Sequence, residues 1–450
     1  MLAIVNKFKK GHPLTPKNYR PVALLPIFSK ILERVIYNQL VEYLDSEGII
    51  HPNHHGSRRG PSTATALIQM YDRWVEEADQ GNMVGVVMVD LSAAFDMVDH
   101  DILLEKLRII GLDESAVLWM TSYLVGRSQR VYIDGCLSPP LNIECDVPQG
   151  SILGPLMYIL FTNDVPNLIH SHPTHFEEPE SFCDDCGGLV CYVDDGTYSV
   201  GHKNPAILSD MLSSQYQTIS NYMVSNKLVI NDDKTNLMVL GNKANRLERG
   251  QVELQAGNHS GQSLIRQLTS RVNGLTMVSS RADFNTRLMV ANGLVISKLC
   301  YLIQLWGGSE GYLLHALQVL QNKAGRAVTG WSGFTSTRRL MGACNWLSVK
   351  QLVVYQTVIM IYKTLRTESP CYLHSRLCTS PHPFRTRQSS MGNIRLDESY
   401  RCRSSLKSNS MRYRGTVDYN RIPVDIRSSP TLNTFKKKLR QWVKDNIDLV

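Results

Sequence analysis

Leu189-Val190-Cys191-Tyr192-Val193-Asp194-Asp195-Gly196-Thr197-Tyr198-Ser199-Val200 is the stretch whose reading decides the fold. An apolar run leads into two adjacent aspartates, and a glycine and a second β-prone run follow. The pattern predicts a hairpin of strand, tight turn and strand. Two carboxylates crowded at a hairpin tip raise each other's pKa, and a divalent cation offsets that repulsion directly. Carboxylate oxygens are hard ligands that suit Mg²⁺. A turn that merely favours Asp and Gly is the plainer reading of the same residues.

A second stretch adds weight to the metal reading. Met83-Val84-Gly85-Val86-Val87-Met88-Val89-Asp90 is a continuous apolar run ending in a carboxylate, as expected of a strand buried on both faces. If this strand lies beside the hairpin, Asp90 meets Asp194 and Asp195. Three carboxylates together can hold two metal ions roughly 3.5–4 Å apart, the arrangement used for in-line phosphoryl transfer.

With these pieces placed, the chain resembles the reverse transcriptase of non-LTR (LINE-like) retrotransposons, of the jockey or CR1 kind. The matching segments run in the family's order. They are Asn18-Tyr19-Arg20-Pro21-Val22; His55-Gly56-Ser57-Arg58 with Ser62-Thr63; and Asp90-Leu91-Ser92-Ala93-Ala94-Phe95-Asp96 with Val98-Asp99-His100. Then come Pro148-Gln149-Gly150-Ser151-Ile152-Leu153-Gly154-Pro155; Tyr192-Val193-Asp194-Asp195; and Leu228-Val229-Ile230-Asn231 with Lys234-Thr235. Strong coverage runs from about Lys7 to Gly241.

The resemblance implies a right-hand polymerase of α+β class: a palm β-sheet, mostly helical fingers, a helical thumb, and a helical and irregular C-terminal region. It implies fingers and palm over 1–241, a linker and thumb over 242–330, and a basic C-terminal region over 331–450. The implied activity is RNA-directed DNA synthesis on an RNA template, from a DNA primer, with dNTPs. Two Mg²⁺ ions, or Mn²⁺, would sit on Asp90, Asp194 and Asp195. Arg20 would contact the incoming triphosphate, for which a planar guanidinium fork is suited. Phe95 would lie under the nucleotide's sugar, where its ring excludes a 2′-hydroxyl. Gln149 and Gly150 would pack against the nascent base pair, glycine allowing close backbone approach. Lys234 resembles the lysine proposed to protonate the leaving pyrophosphate. Arg58 would touch nucleic acid.

Composition bounds the rest. The chain has 450 residues and 43% hydrophobic content, enough for two or three domains with real cores. No apolar run approaches the ~20 residues that span a bilayer, and Met1–Lys10 is too short and too basic at its end for a signal peptide. An intracellular protein, in nucleus or cytoplasm and without a membrane partner, is expected. Its ten cysteines then read as reduced thiols. The net charge of +8 falls within Arg401–Val450, which holds twelve Lys or Arg against four Asp or Glu. Such a tail suits a phosphate backbone, with Lys436, Lys437 and Lys438 as its densest cluster. The oligomeric state is left open.

Local patterns give further expectations. Ser29–Asp45 reads as a helix capped by Ser29, with Ile31, Leu32, Val35, Ile36, Leu40 and Leu44 on its core face. The His51–Pro61 loop carries three histidines in no metal spacing and is read as touching template or nucleotide. Leu103, Leu104, Leu107, Ile110, Leu118 and Trp119 are expected to be buried in a helical stretch reaching Tyr123. Arg130–Ile133 with Asp134-Gly135 reads as a hairpin. Cys183-x-x-Cys186, with His170, His172, His175 and Cys191 nearby, is half a zinc site, and zinc is not expected there. Nor is it at Cys371, His374, Cys378 and His382. Arg281–Trp306, Leu313–Val328 and Val349–Arg366 read as helices, and Ser369–Asn420 as mostly irregular. A last helix is expected to be capped by Ser429, with Leu432, Phe435, Leu439, Trp442 and Val443 on one face.

A second reading is a decayed fragment that binds nucleic acid without catalysis. It draws on Ala93 in place of the family's usual lysine, Ser57 in place of an aromatic, and Val193 where alanine is commoner. Nothing in the chain resembles the endonuclease that such elements carry upstream.

Overall fold

The computed structural model describes residues 2–8, 12, 19–56, 58, 60–133, 136–169, 189–241, 268–269, 271–273, 275–276, 282–308, 311–377, 394, 408 and 410–446. Residues 2–8, 19–21, 133 and 312 are described by backbone alone. The chain divides into two compact units, Met1–Ala66 with Gly81–His259, and Leu67–Gln80 with Ser260–Val450. Residues 260–330 and 331–450 therefore share one unit.

The first unit is built on two sheets. Strand β1 (Leu2–Phe8) pairs antiparallel with β2 (Tyr19–Leu24) and parallel with β4 (Ser128–Ile133). Two short strands, β5 (Cys136–Leu137) and β6 (Leu141–Asn142), pair with β4. The other sheet has the order β7-β8-β3-β9 and is antiparallel throughout. Its strands are β3 (Met83–Val89), β7 (Val190–Tyr192), β8 (Asp195–His202) and β9 (Asn236–Leu240). In β3 every residue except Met88 is buried. That burial explains the unbroken apolar run: a central strand covered on both faces has no side on which to place polar residues.

Five helices accompany the sheets, α1 (Ile27–Ser46), α3 (His100–Ile109), α4 (Glu114–Leu124), α5 (Gly154–Phe161) and α6 (Pro205–Ser225), and α2 (Thr63–Asp79) only begins in this unit. Residues 67–79 of α2 belong to the second unit. Leu103, Leu107, Leu156, Phe161 and Leu212 are fully buried with β3 in one core. The stretch after Asp96 breaks at Gly111, whose φ of +87° suits a helix end. Leu118 was expected in the core but is 60% exposed, because it projects from the outer side of α4.

Helix α1 departs from expectation more sharply. It starts at Ile27, so Ser29 lies inside it and Pro26 takes the cap position without a side-chain bond. Its buried residues are Glu33, Leu40 and Leu44. They lie seven and eleven residues apart, two and three turns, and so share a face. Ile31, Leu32 and Val35 project to the other side and are half exposed.

In the second unit, helix Gly311–Thr329 and helix Val349–Thr367 anchor two apolar clusters. Arg281–Trp306 is not one helix: it breaks at Tyr301–Leu302, where Leu302 has φ +56°. The expected irregular stretch contains helices Cys371–Leu377 and Met411–Arg421. The last helix is Leu432–Asp445, with Phe435, Leu439 and Val443 buried. Phe435 stacks on Tyr362 at 3.8 Å between ring centres. Thr431, not Ser429, caps that helix by accepting from Thr434 N. Ser429 is buried, and its carbonyl accepts from Tyr362 Oη and Arg366 Nη2. All six described cysteines are free thiols. No described helix is long and apolar enough to cross a membrane.

Candidate active site

Backbone register brings the first carboxylates together. Val89 at the end of β3 faces Gly196 on β8. One further step of an antiparallel ladder sets Asp90 opposite Asp195. Tyr192 pairs with Asp195, so the hairpin's two turn residues are Val193 and Asp194. Val193 has φ +60°, a conformation that β-branched side chains rarely adopt and that a tight hairpin turn requires at its first position.

The hairpin is braced from one side. Residues 53–56 run along β7: Cys191 N donates to Asn53 O and His55 N to Cys191 O, both at 2.9 Å. A Cβ on Gly56 would stand 2.8 Å from the Val193 nitrogen. Only glycine lets this loop come so close.

Asp90 is fixed from the other side. Its carbonyl accepts from Asn231 N at 2.8 Å, and Ser92 N donates to Val229 O at 2.8 Å. Lys234 Nζ lies 2.7 Å from Asp90 Oδ2. Asp195 is exposed as a residue, yet its carboxyl is held above the ordinary range. Partial burial is the first cause, Asp194 and Asp90 the next, and Lys234 opposes them. The donor chemistry suits a divalent cation: hard carboxylate oxygens at one sheet end, already repelling one another. Among the described residues no three His, Cys, Asp or Glu side chains close into a single coordination sphere. The ammonium of Lys234 supplies the countercharge instead.

The nucleotide side is assembled around Phe95 and the Gln149 loop. Phe95 stacks on Tyr158 with ring centres 4.9 Å apart. It is half-buried, so one edge packs and another remains open. Val147 N donates to Phe95 O and Ala23 N to Gln149 O, both at 2.9 Å. Gly150 has φ +104°, which favours glycine there. Arg20 lies on β2 three residues before Ala23, and its side chain is outside the described residues.

Two contacts here escaped sequence reading. Glu33 is only 2% exposed, and its Oε2 accepts from Ile152 N at 2.5 Å and Leu153 N at 3.4 Å. It thereby holds the start of α5, directly after the loop. Its place on the Leu40/Leu44 face is the signal that could have revealed it. The second contact is Gln149 Nε2 donating to Asp96 Oδ1 at 2.7 Å. No spacing rule announces that pair.

Other expected residues stand apart. The histidine loop is committed to packing: His54 Nε2 meets Thr162 O and His55 Nδ1 meets Thr65 Oγ1. Burial lowers the pKa of His51 and His54 to about 4, so neither is a cation at neutral pH. Arg58 turns back on this loop and donates to His51 O and His54 O. Lys436, Lys437 and Lys438 lie on the last helix, in the other unit. His170, His172, His175, Cys183, Cys186, Cys378 and His382 lie outside the described residues. Cys191 is buried in β7, where burial pushes its thiol up to about 12.

Residues 7–272 match the family described as reverse transcriptase (RNA-dependent DNA polymerase). The chain belongs to the reverse transcriptase family. Divalent metal ions are the cofactors of this family in general. Among curated proteins the chain is similar to the probable RNA-directed DNA polymerase from transposon BS of Drosophila melanogaster, 29% identical over 73% of this chain and 38% of that protein. It is also similar to the RNA-directed DNA polymerase from mobile element jockey of Drosophila funebris, 27% identical over 75% of this chain and 38% of that protein. The chain thus spans under two-fifths of the length of these relatives. Among solved structures, apo telomerase from Candida tropicalis aligns with a TM-score of 0.39 at 11% identity, over 82% of this chain and 69% of that one.

Proposed function

We propose that this reverse-transcriptase chain polymerises dNTPs onto a DNA primer along an RNA template. The observation that carries the reading is the β3–β8 register, which sets Asp90 against Asp194 and Asp195 at one end of the palm sheet. Phe95 and the Gln149 loop are tied into the segment that follows Asp90. Asp90, Asp194 and Asp195 would hold Mg²⁺, which when bound acidifies the primer 3′-hydroxyl and neutralises the departing pyrophosphate.

The chain's own residues then have separable roles. Phe95 walls the sugar pocket and keeps a 2′-hydroxyl out. Gly150 lets the backbone approach the new base pair, and Arg20 receives the triphosphate. Lys234 balances the carboxylates and would pass a proton to the departing pyrophosphate. Lys436, Lys437, Lys438 and Arg58 are proposed phosphate contacts. A nuclear or cytoplasmic site of action accords with this chemistry.

The test is primer extension on an RNA template with Mg²⁺. Extension with dNTPs, and its loss on chelation, is expected. Primer–template binding without any extension would overturn the polymerase reading in favour of a binding fragment.

A further inference from the structure

We propose that Asp96 is a positioning residue that sets which end of the Gln149 amide faces the incoming nucleotide. This rests on the polymerase reading of the site and adds a determinant of nucleotide affinity to it.

Both backbones are already fixed. Asp96 N donates to Ala93 O at 2.9 Å within the turn Ala94–Met97, and the neighbouring Phe95 carbonyl is held by Val147 N. The Gln149 carbonyl is held by Ala23 N. What remains free is the rotation of the Gln149 amide. An ionised carboxylate only accepts hydrogen bonds, whereas a primary amide donates at one end and accepts at the other. Nε2 of Gln149 meets Asp96 Oδ1 at 2.7 Å. The flipped amide would set its own oxygen against the carboxylate, so Asp96 permits one sense alone. Oε1 is then presented on the opposite side, as an acceptor for a sugar hydroxyl or a base-edge amino group of the nucleotide. Gln149 is half-buried rather than sealed in the core.

Asp96→Asn separates orientation from packing. It keeps the shape but can pair with either sense of the glutamine amide. The KM for dNTP should rise about tenfold, the worth of one charge-assisted hydrogen bond, with kcat within about twofold of wild type. In Asp96→Asn/Gln149→Glu the new amide donates to the new carboxylate, whose second oxygen faces where Oε1 faced. That double variant should recover a KM within about threefold of wild type. Nucleotide binding to a primer–template with a terminated primer should show the same order without turnover.

A dideoxynucleotide distinguishes the two donors. An Asp96→Asn effect that vanishes with it assigns the sugar hydroxyl; one that persists assigns the base edge. An unchanged KM in Asp96→Asn would overturn the proposal, as would equal losses of kcat in both variants without recovery. A wild-type chain that neither extends primers nor binds nucleotide would remove the polymerase reading itself, and this proposal with it.

Discussion

Two regions of this chain crowd carboxylates, and they relieve the crowding in opposite ways. At the end of sheet β7-β8-β3-β9, Asp195 is raised by partial burial and by Asp194 and Asp90, and the relieving group is Lys234, 63% exposed at its side chain. In the second unit, Asp72 on α2 is 4% exposed, and its two carboxyl oxygens have no hydrogen-bond partner. Burial pushes its pKa to about 7, Glu76 adds to the rise, and Arg412 and Arg376 oppose it. Those arginines are committed to Glu76, each at 3.1 Å from Oε1. A raised carboxyl pKa therefore does not by itself mark a site. Asp195 and its countercharge Lys234 are both exposed to solvent. Asp72 is sealed inside, where the two arginines offset its burial only in part and a proton supplies the rest.

The largest test of that contrast is Asp194→Asn. It keeps volume but removes one charge from the set Asp90, Asp194 and Asp195. Extension should fall by about a thousandfold, the scale of several kcal/mol of charge stabilisation, with primer–template binding retained. Activity equal to wild type would leave Asp194 and Asp195 as ordinary turn residues.

Asp72→Asn should act on stability instead. Between pH of about 4 and about 7 the folded chain keeps a proton on Asp72 that the unfolded chain has lost. Stability of this region therefore falls as pH rises through that window and levels off above it. The gap between the ordinary aspartate value and about 7 corresponds to at most roughly 4 kcal/mol. Hydrogen exchange of residues 67–80, corrected for intrinsic rates, should show that loss in wild type. Asp72→Asn should flatten it and protect the segment more at pH 8. A wild-type profile flat from pH 5 to 8 would mean that the arginines alone suffice.

How much of this was legible follows from what each side chain faces. Asp90, Asp194 and Asp195 were readable because a doubly buried strand and a hairpin impose strong local patterns. Their convergence needs only register. Helix α1 misled because counting apolar residues favours Ile31, Leu32 and Val35, while the packed face is the one carrying Glu33. The start of the last helix was misplaced because Ser429 and Thr431 are both good caps, and the burial of Ser429 against Tyr362 decided between them. The histidine loop also serves as a brace along the hairpin. Its partners, Thr162 and Cys191, are more than a hundred residues away in sequence, beyond the reach of any local pattern.

Glu33 gives the smallest but most discriminating test, because it is a buried carboxylate of a third kind. Its Oε2 takes two backbone N–H groups at the start of α5, where the helix end itself favours negative charge. Glu33→Gln keeps the shape and one acceptor while removing the charge. If burial dominated, as at Asp72, the neutral side chain would stabilise the fold. If the N–H groups dominate, it should cost about 1–2 kcal/mol, the difference between a charge-assisted and a neutral hydrogen bond. We expect the cost, read as a lower urea midpoint for the first unit. The KM for dNTP should rise a few-fold with it, because Ile152 and Leu153 directly follow the Gln149 loop. A higher urea midpoint would place Glu33 with Asp72, as a charge tolerated rather than used.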